Sequence, residues 1–144
     1  MSGVGRRVAA AVLAALAVTG VAAASGCTQG GEEPAVQTAN RAGQEVTSPS
    51  GDAVATLAAG PDDGGPTLQV VVTSADGAEL FRSDEAYSAR HGVALAWQAD
   101  GEVLWVLSSD VGTSYVRNGA DGWTQTWLTP ETRGDVPPEI AALR

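Results

Sequence analysis

The chain reads as an all-β domain: one small antiparallel meander or sandwich of about six to seven short strands, closed by a short C-terminal helix. Three observations carry this reading. Apolar residues recur in short runs of strand length rather than at helical spacing. Two pairs of runs, 93–97 with 103–107 and 114–116 with 123–128, flank Asp-Gly or Asn-Gly turns as hairpins do. Residues that tolerate positive φ or start turns separate them every ~10 to 15 residues.

In chain order the runs are Ala53–Ala59, Leu68–Thr73, Ala78–Phe81, Gly92–Trp97, Val103–Leu107, Ser114–Val116 and Trp123–Leu128. Between them lie Ser50-Gly51-Asp52, Pro61 to Pro66, Asp76-Gly77, Asp100-Gly101, Asn118-Gly119 and Asp121-Gly122. Period-2 alternation places Val93, Leu95 and Trp97 on one face of their strand. The next strand presents Val103, Trp105 and Leu107 on one face and Leu104 and Val106 on the other. Apolar residues on both faces require cover on both sides, so this strand is expected to be central. In the last strand Trp123, Gln125 and Trp127 share a face, opposite Thr124, Thr126 and Leu128. Pro137-Pro138 followed by Glu139-Ile140-Ala141-Ala142-Leu143 reads as a short helix opened by proline.

Ahead of this domain, expected at 48–144, the chain has a different character. Arg6 and Arg7 precede an alanine-rich apolar run, Val8–Val21, which falls short of the ~20 strongly apolar residues that span a bilayer. Small residues follow, ending in Ala24-Ser25-Gly26-Cys27, with the chain's one cysteine. This segment resembles the lipobox of bacterial lipoproteins, although Ala24 stands where Leu is usual. The resemblance implies a signal peptide over 1–26, cleavage before Cys27, and lipid on its thiol. A lipid anchor gains ~0.8 kcal/mol per buried methylene, so two or three acyl chains hold where one is marginal. The alternative is an ordinary secretory signal that leaves an unpaired thiol. The arginine pair also raises twin-arginine export beside the general secretory route.

Residues 27–47 are poor in large apolar side chains, with only Val36 and Val46, and rich in Gly, Gln, Glu, Ala and Thr. That composition predicts a disordered linker with a reach of ~25 Å. The lipoprotein reading places the domain on the extracytoplasmic face of a bacterial cell membrane.

Charge narrows the partners. All eight basic residues are arginine, against 17 acids, giving a net charge of −9. Losing the leader would remove Arg6 and Arg7 and make the chain more acidic still. Phosphate backbones and anionic headgroups repel such a surface, so nucleic acid is not an expected partner. The expected partners are the membrane, through lipid on Cys27, and an envelope protein or a cell-wall glycan.

Two stretches, 47–55 and 94–105, resemble the Ser-Pro-Asp-Gly and Trp-x-x-Asp-Gly turns of β-propeller blades. A propeller needs about four blades of ~40 residues. The resemblance therefore implies blade-like hairpins, not a closed propeller, and carries no function. The runs 83–91 and 108–115 are similar to small bacterial lipoproteins of unassigned activity.

Few residues could carry chemistry. His91 is the one histidine, with Asp84, Glu85 and Asp110 as conceivable partners and Ser108 or Ser109 as conceivable nucleophiles. No Gly-x-Ser-x-Gly or Ser-x-x-Lys motif supports a hydrolase there, and a loop-capping histidine is the plainer reading. Zinc lacks ligands. Calcium could draw on Asp62-Asp63, Asp76 with Glu79, Asp100 with Glu102, or Asp121, but no EF-hand loop is present and turns favour Asp at such positions. No cofactor or metal is expected. Tyr115, Trp123 and Trp127 are the candidate ligand-binding residues, a possible aromatic platform for a sugar or peptide; the alternative places all four tryptophans in the core. The sequence thus favours a membrane-anchored, non-catalytic binding module of the cell envelope. The alternatives are glycan binding through Trp123 and Trp127, and a hydrolase built around His91.

Overall fold

The computed structural model describes residues 35–62 and 64–144. The leader, Cys27 and the linker as far as Pro34 lie outside these residues. All seven expected strands are present, joined by three short ones, so the described chain has ten. They are β1 (Thr38–Ala39), β2 (Glu45–Thr47), β3 (Ala53–Ala59), β4 (Thr67–Ser74), β5 (Glu79–Arg82), β6 (Tyr87–Ser88), β7 (Val93–Trp97), β8 (Val103–Ser108), β9 (Gly112–Gly119) and β10 (Gly122–Trp127).

Two meanders account for the topology. Strands β2, β3, β4 and β5 pair antiparallel in order, and β6 returns to pair with β4. Strands β7 to β10 form the second meander, with β1 on the outer edge of β7. The inner faces of the two sheets share one apolar core: Val46, Ala55, Leu57, Val70 and Val72 from one, Leu95, Trp97, Leu104, Val106 and Val116 from the other. The domain is therefore an all-β sandwich.

Local chemistry explains the hairpins. Between β4 and β5 the chain turns at Asp76-Gly77, where Gly77 has φ 91° and Ser74 donates through its hydroxyl to the Asp76 carboxylate. That bond holds the Asp76 carboxyl below its usual range. The last hairpin closes on the pair Gly119 and Gly122, so of the two turn dipeptides expected there Asp121-Gly122 supplies the positive φ, at 92°. Between β5 and β6, both on one edge of β4, the ladder is continued by a side chain: the buried Ser83 hydroxyl accepts the Val70 N–H at 3.0 Å and donates to the Glu85 carbonyl at 2.8 Å.

Polar ties cross the sandwich. Trp97 in one sheet donates its indole N–H to the Val46 carbonyl in the other at 3.0 Å. Gln125 on β10, itself half-buried, donates to the buried Tyr87 hydroxyl at 2.8 Å and the buried Ser114 hydroxyl at 2.7 Å. Burial pushes the Tyr87 phenol above its ordinary pKa, against the opposing effect of its hydrogen bonds with Gln125 and Ser114.

The linker expected through Thr47 is corrected from β1 onward. Ala39 and Val46 are buried in the common core, and β2 pairs with β3 over Glu45–Thr47. Composition misled because these residues are ordered by the strands they pair with and not by their own apolar content. The helix expected at the end is shorter than its pattern, α1 (Pro138–Ala141), preceded by a 3₁₀ turn at Arg133–Asp135.

Replacing Gln125 by Leu leaves two buried hydroxyls short of a donor, which costs ~1 to 3 kcal/mol. Thr124→Ala on the exposed face of the same strand costs under ~0.5 kcal/mol. Urea unfolding of both variants measures the contrast.

Candidate functional site

The outer face of the β7–β10 sheet is built by β8. Its side chains alternate, so Leu104 and Val106 enter the common core while Val103, Trp105 and Leu107 point the other way. These outward residues are not left to solvent. The C-terminal segment crosses over them, and Ile140, fully buried, packs with Ala96 and Trp105, flanked by Leu128, Val136, Val36 and Tyr115. The expectation that β8 is covered on both faces is met, with the second cover supplied by Leu128 onward.

Cover is incomplete, and a cleft of about 350 Å³ remains between β8, β9, β10 and the C-terminal segment. Trp105 lies at its base and is 4% exposed, its indole N–H donating to Gln98 Oε1 at 3.3 Å. Tyr115 lies beside it with ring centroids 5.4 Å apart. The Arg117 guanidinium sits 5.6 Å over the Tyr115 ring, a cation–π pair. Trp127 stands at the sheet edge, 37% exposed, and also lines the cleft. Polar side chains complete the wall: Thr126, Thr129, Thr132 and Asp135.

The expected platform of Tyr115, Trp123 and Trp127 does not form as one surface. In the β9–β10 ladder Tyr115 pairs with Thr126, so it occupies the face opposite Trp123. Trp123 turns inward against Trp97, centroids 6.3 Å apart and nearly edge-to-face. Trp127 packs beside Tyr87 at 6.4 Å while reaching the cleft from the edge. The ring that joins Tyr115 on its own face is Trp105, while Trp127 shares the face of Trp123 and reaches the cleft only at the sheet edge. Sequence reasoning placed Trp105 in a covered strand and passed over it as a site residue; its pairing across from Tyr115 in the β8–β9 register is what brings it to the cleft. Two tryptophans, Trp97 and Trp105, are buried, so neither expectation about the four rings holds for all of them.

His91 lies on a second, larger groove of about 580 Å³, with Arg41, Leu107, Ser109, Leu143 and Arg144 among its lining. Its Nδ1 faces Asp110 Oδ2 at 3.1 Å, and Ser108 donates its hydroxyl to the other carboxylate oxygen at 2.5 Å. Ser109 donates to the His91 main-chain carbonyl. A nucleophile and its base lie within hydrogen-bond reach of each other, often more loosely before substrate binds. Here Ser108 binds the acid and Ser109 the backbone, so the three groups tie the loop before β7 to the turn after β8. The Ser108 hydroxyl is the chief reason that the Asp110 carboxyl sits below its ordinary range; burial opposes it, and the hydrogen bond with His91 adds to the lowering.

Of the acids named for calcium, Asp100 accepts from Gln98, Glu102 from the Ser50 N–H, Asp76 from the Ser74 hydroxyl, and Glu79 pairs with Arg82 at 2.7 Å, while Asp63 lies outside the described residues. Among the described residues no group of three or more His, Cys, Asp or Glu stands together. Compared with known protein families, with curated proteins and with solved structures, the chain matches none.

Asp110 titrates lower when folded than when unfolded, where Asp has a pKa of ~3.9. Its contribution to stability is therefore complete above ~3.9 and is lost as pH falls through the folded-state value. Ser108→Ala raises the folded pKa of Asp110 toward ~3.9 and shrinks that acid-range loss. Carboxyl-detected NMR titration and thermal unfolding between about pH 2 and 6 read both effects.

Proposed function

We propose that the chain is a lipid-anchored, non-catalytic binding module of the bacterial cell envelope, held on the extracytoplasmic face of the cell membrane through Cys27. The observation that carries the binding half of this reading is the cleft at the base of which Trp105 and Tyr115 meet. Rings and hydrogen-bonding groups converge there, as in sites that take small ligands by shape and a few polar contacts. The His91 cluster supports the non-catalytic half, since neither serine of that cluster hydrogen-bonds a ring nitrogen.

The anchoring half rests on sequence. A basic start, an apolar run, small residues and then a cysteine resemble the opening of bacterial lipoproteins, with Ala24 where Leu is usual. Segment 28–34 carries no large apolar side chain to fold against the domain. No helix among the described residues is long and apolar enough to cross a membrane. The acidic charge disfavours adhesion to anionic lipid, which leaves a covalent anchor as the means of attachment.

Full-length protein expressed in a bacterial host is expected to enter the detergent phase on Triton X-114 partition. Cys27→Ala moves it to the aqueous phase or blocks its processing. A Cys27→Ala protein that is still cleaved to the mature size and still partitions with detergent contradicts the anchor.

A further inference from the structure

We propose that the cleft bounded by Trp105, Tyr115 and Trp127 is the ligand site of this module and that it takes a neutral saccharide. The inference deepens the binding reading above and rests on it.

The ring faces come first. Tyr115 is partly exposed with Trp105 against it, and Trp127, 37% exposed, lines the cleft from the sheet edge. The C–H face of a pyranose is apolar and flat, so aromatic side chains bind it through buried area with little conformational entropy to lose. Tyr115 is further held by its contacts with Trp105 and Arg117, so part of the ordering cost is met before a ligand arrives.

The polar groups narrow the class. A sugar presents hydroxyls at its rim that both donate and accept. The cleft offers matching groups in Thr126, Thr129, Thr132 and Gln98. Its ionic side chains are one cation, Arg117, and one acid, Asp135. These cancel, within a chain whose net charge is −9. A uronic acid or phosphorylated glycan meets no surplus of positive charge in the cleft and a repulsive field outside it. A neutral sugar meets neither obstacle. The volume of about 350 Å³ lies at the lower end of the ~300 to 1,000 Å³ typical of small-molecule sites, which suits a short stretch of a glycan.

The test uses the lipidated full-length protein in detergent micelles, titrated with N-acetylchitohexaose, with maltohexaose, with an oligomer containing uronic acid, and with a proline-rich decapeptide. Resolved indole N–H resonances report which tryptophans respond. One of the two neutral hexasaccharides is expected to bind with a Kd below ~1 mM and to shift Trp105 and Trp127 but not Trp97 or Trp123. Tyr115→Ala and Trp127→Ala each weaken that binding by about tenfold or more. Leu80→Ala, at an exposed position on β5, leaves it unchanged. Tyr115→Leu serves where the alanine variant unfolds, because it keeps apolar bulk over Trp105 while removing the ring. No response to either neutral sugar up to ~10 mM overturns the inference. So does binding confined to the charged oligomer or the peptide, or a response confined to Trp97 and Trp123. Such a failure leaves the anchored-module reading standing, since partition of the Cys27→Ala protein does not depend on any sugar.

Discussion

Strand β8 is apolar on both faces, and a strand of that kind cannot stand at a protein surface. One face is satisfied by the opposing sheet, whose Leu57, Val70 and Val72 lie in the same core as Leu104 and Val106. The other must be covered by something outside the sandwich, and the chain uses its own end. Ile140, with Val136 and Leu128 beside it, is drawn onto Trp105 and Ala96. A four-residue helix has little stability of its own, so α1 is held by this burial and not the reverse.

The cleft follows from the same constraint. The covering segment is short and carries few large apolar side chains, so it cannot seal the whole outer face. Trp105 is large enough to be covered by it and still wall a space beside it. Cross-strand register then sets Tyr115 against Trp105, and the end of β10 brings Trp127 to the rim. The site is thus a by-product of covering a two-faced strand with a partial lid, which explains why its residues come from three strands and the C-terminal segment.

Much of the fold was legible because β-strand signals here are local. Alternation at 93–97 and 103–107 gave both the strands and the faces that they bury, and Gly77 and Gly122 sit at the tips that their dipeptides marked. What was not legible depends on pairing across the chain. Thr38–Ala39 and Glu45–Thr47 have no pattern of their own and exist because β7 and β3 offer them edges. The platform expected at Tyr115, Trp123 and Trp127 failed for a related reason. Which rings share a face was readable along β10, but whether Tyr115 joined them turned on a register of one residue between β9 and β10. The proposed lipid anchor belongs to a different level of description, since it rests on the order of residue types around Cys27 and not on packing.

The outer face of β8 depends on the C-terminal segment being the cover of Trp105. The direct measurement is the solvent exchange and chemical shift of the four indole N–H groups in a Val136→Ala, Ile140→Ala double variant. The account predicts that the Trp105 indole shifts and exchanges faster while the Trp97 indole, donating to the Val46 carbonyl inside the sandwich, keeps its protection. An unchanged Trp105 resonance, with protection equal to that of the unaltered protein, would contradict it.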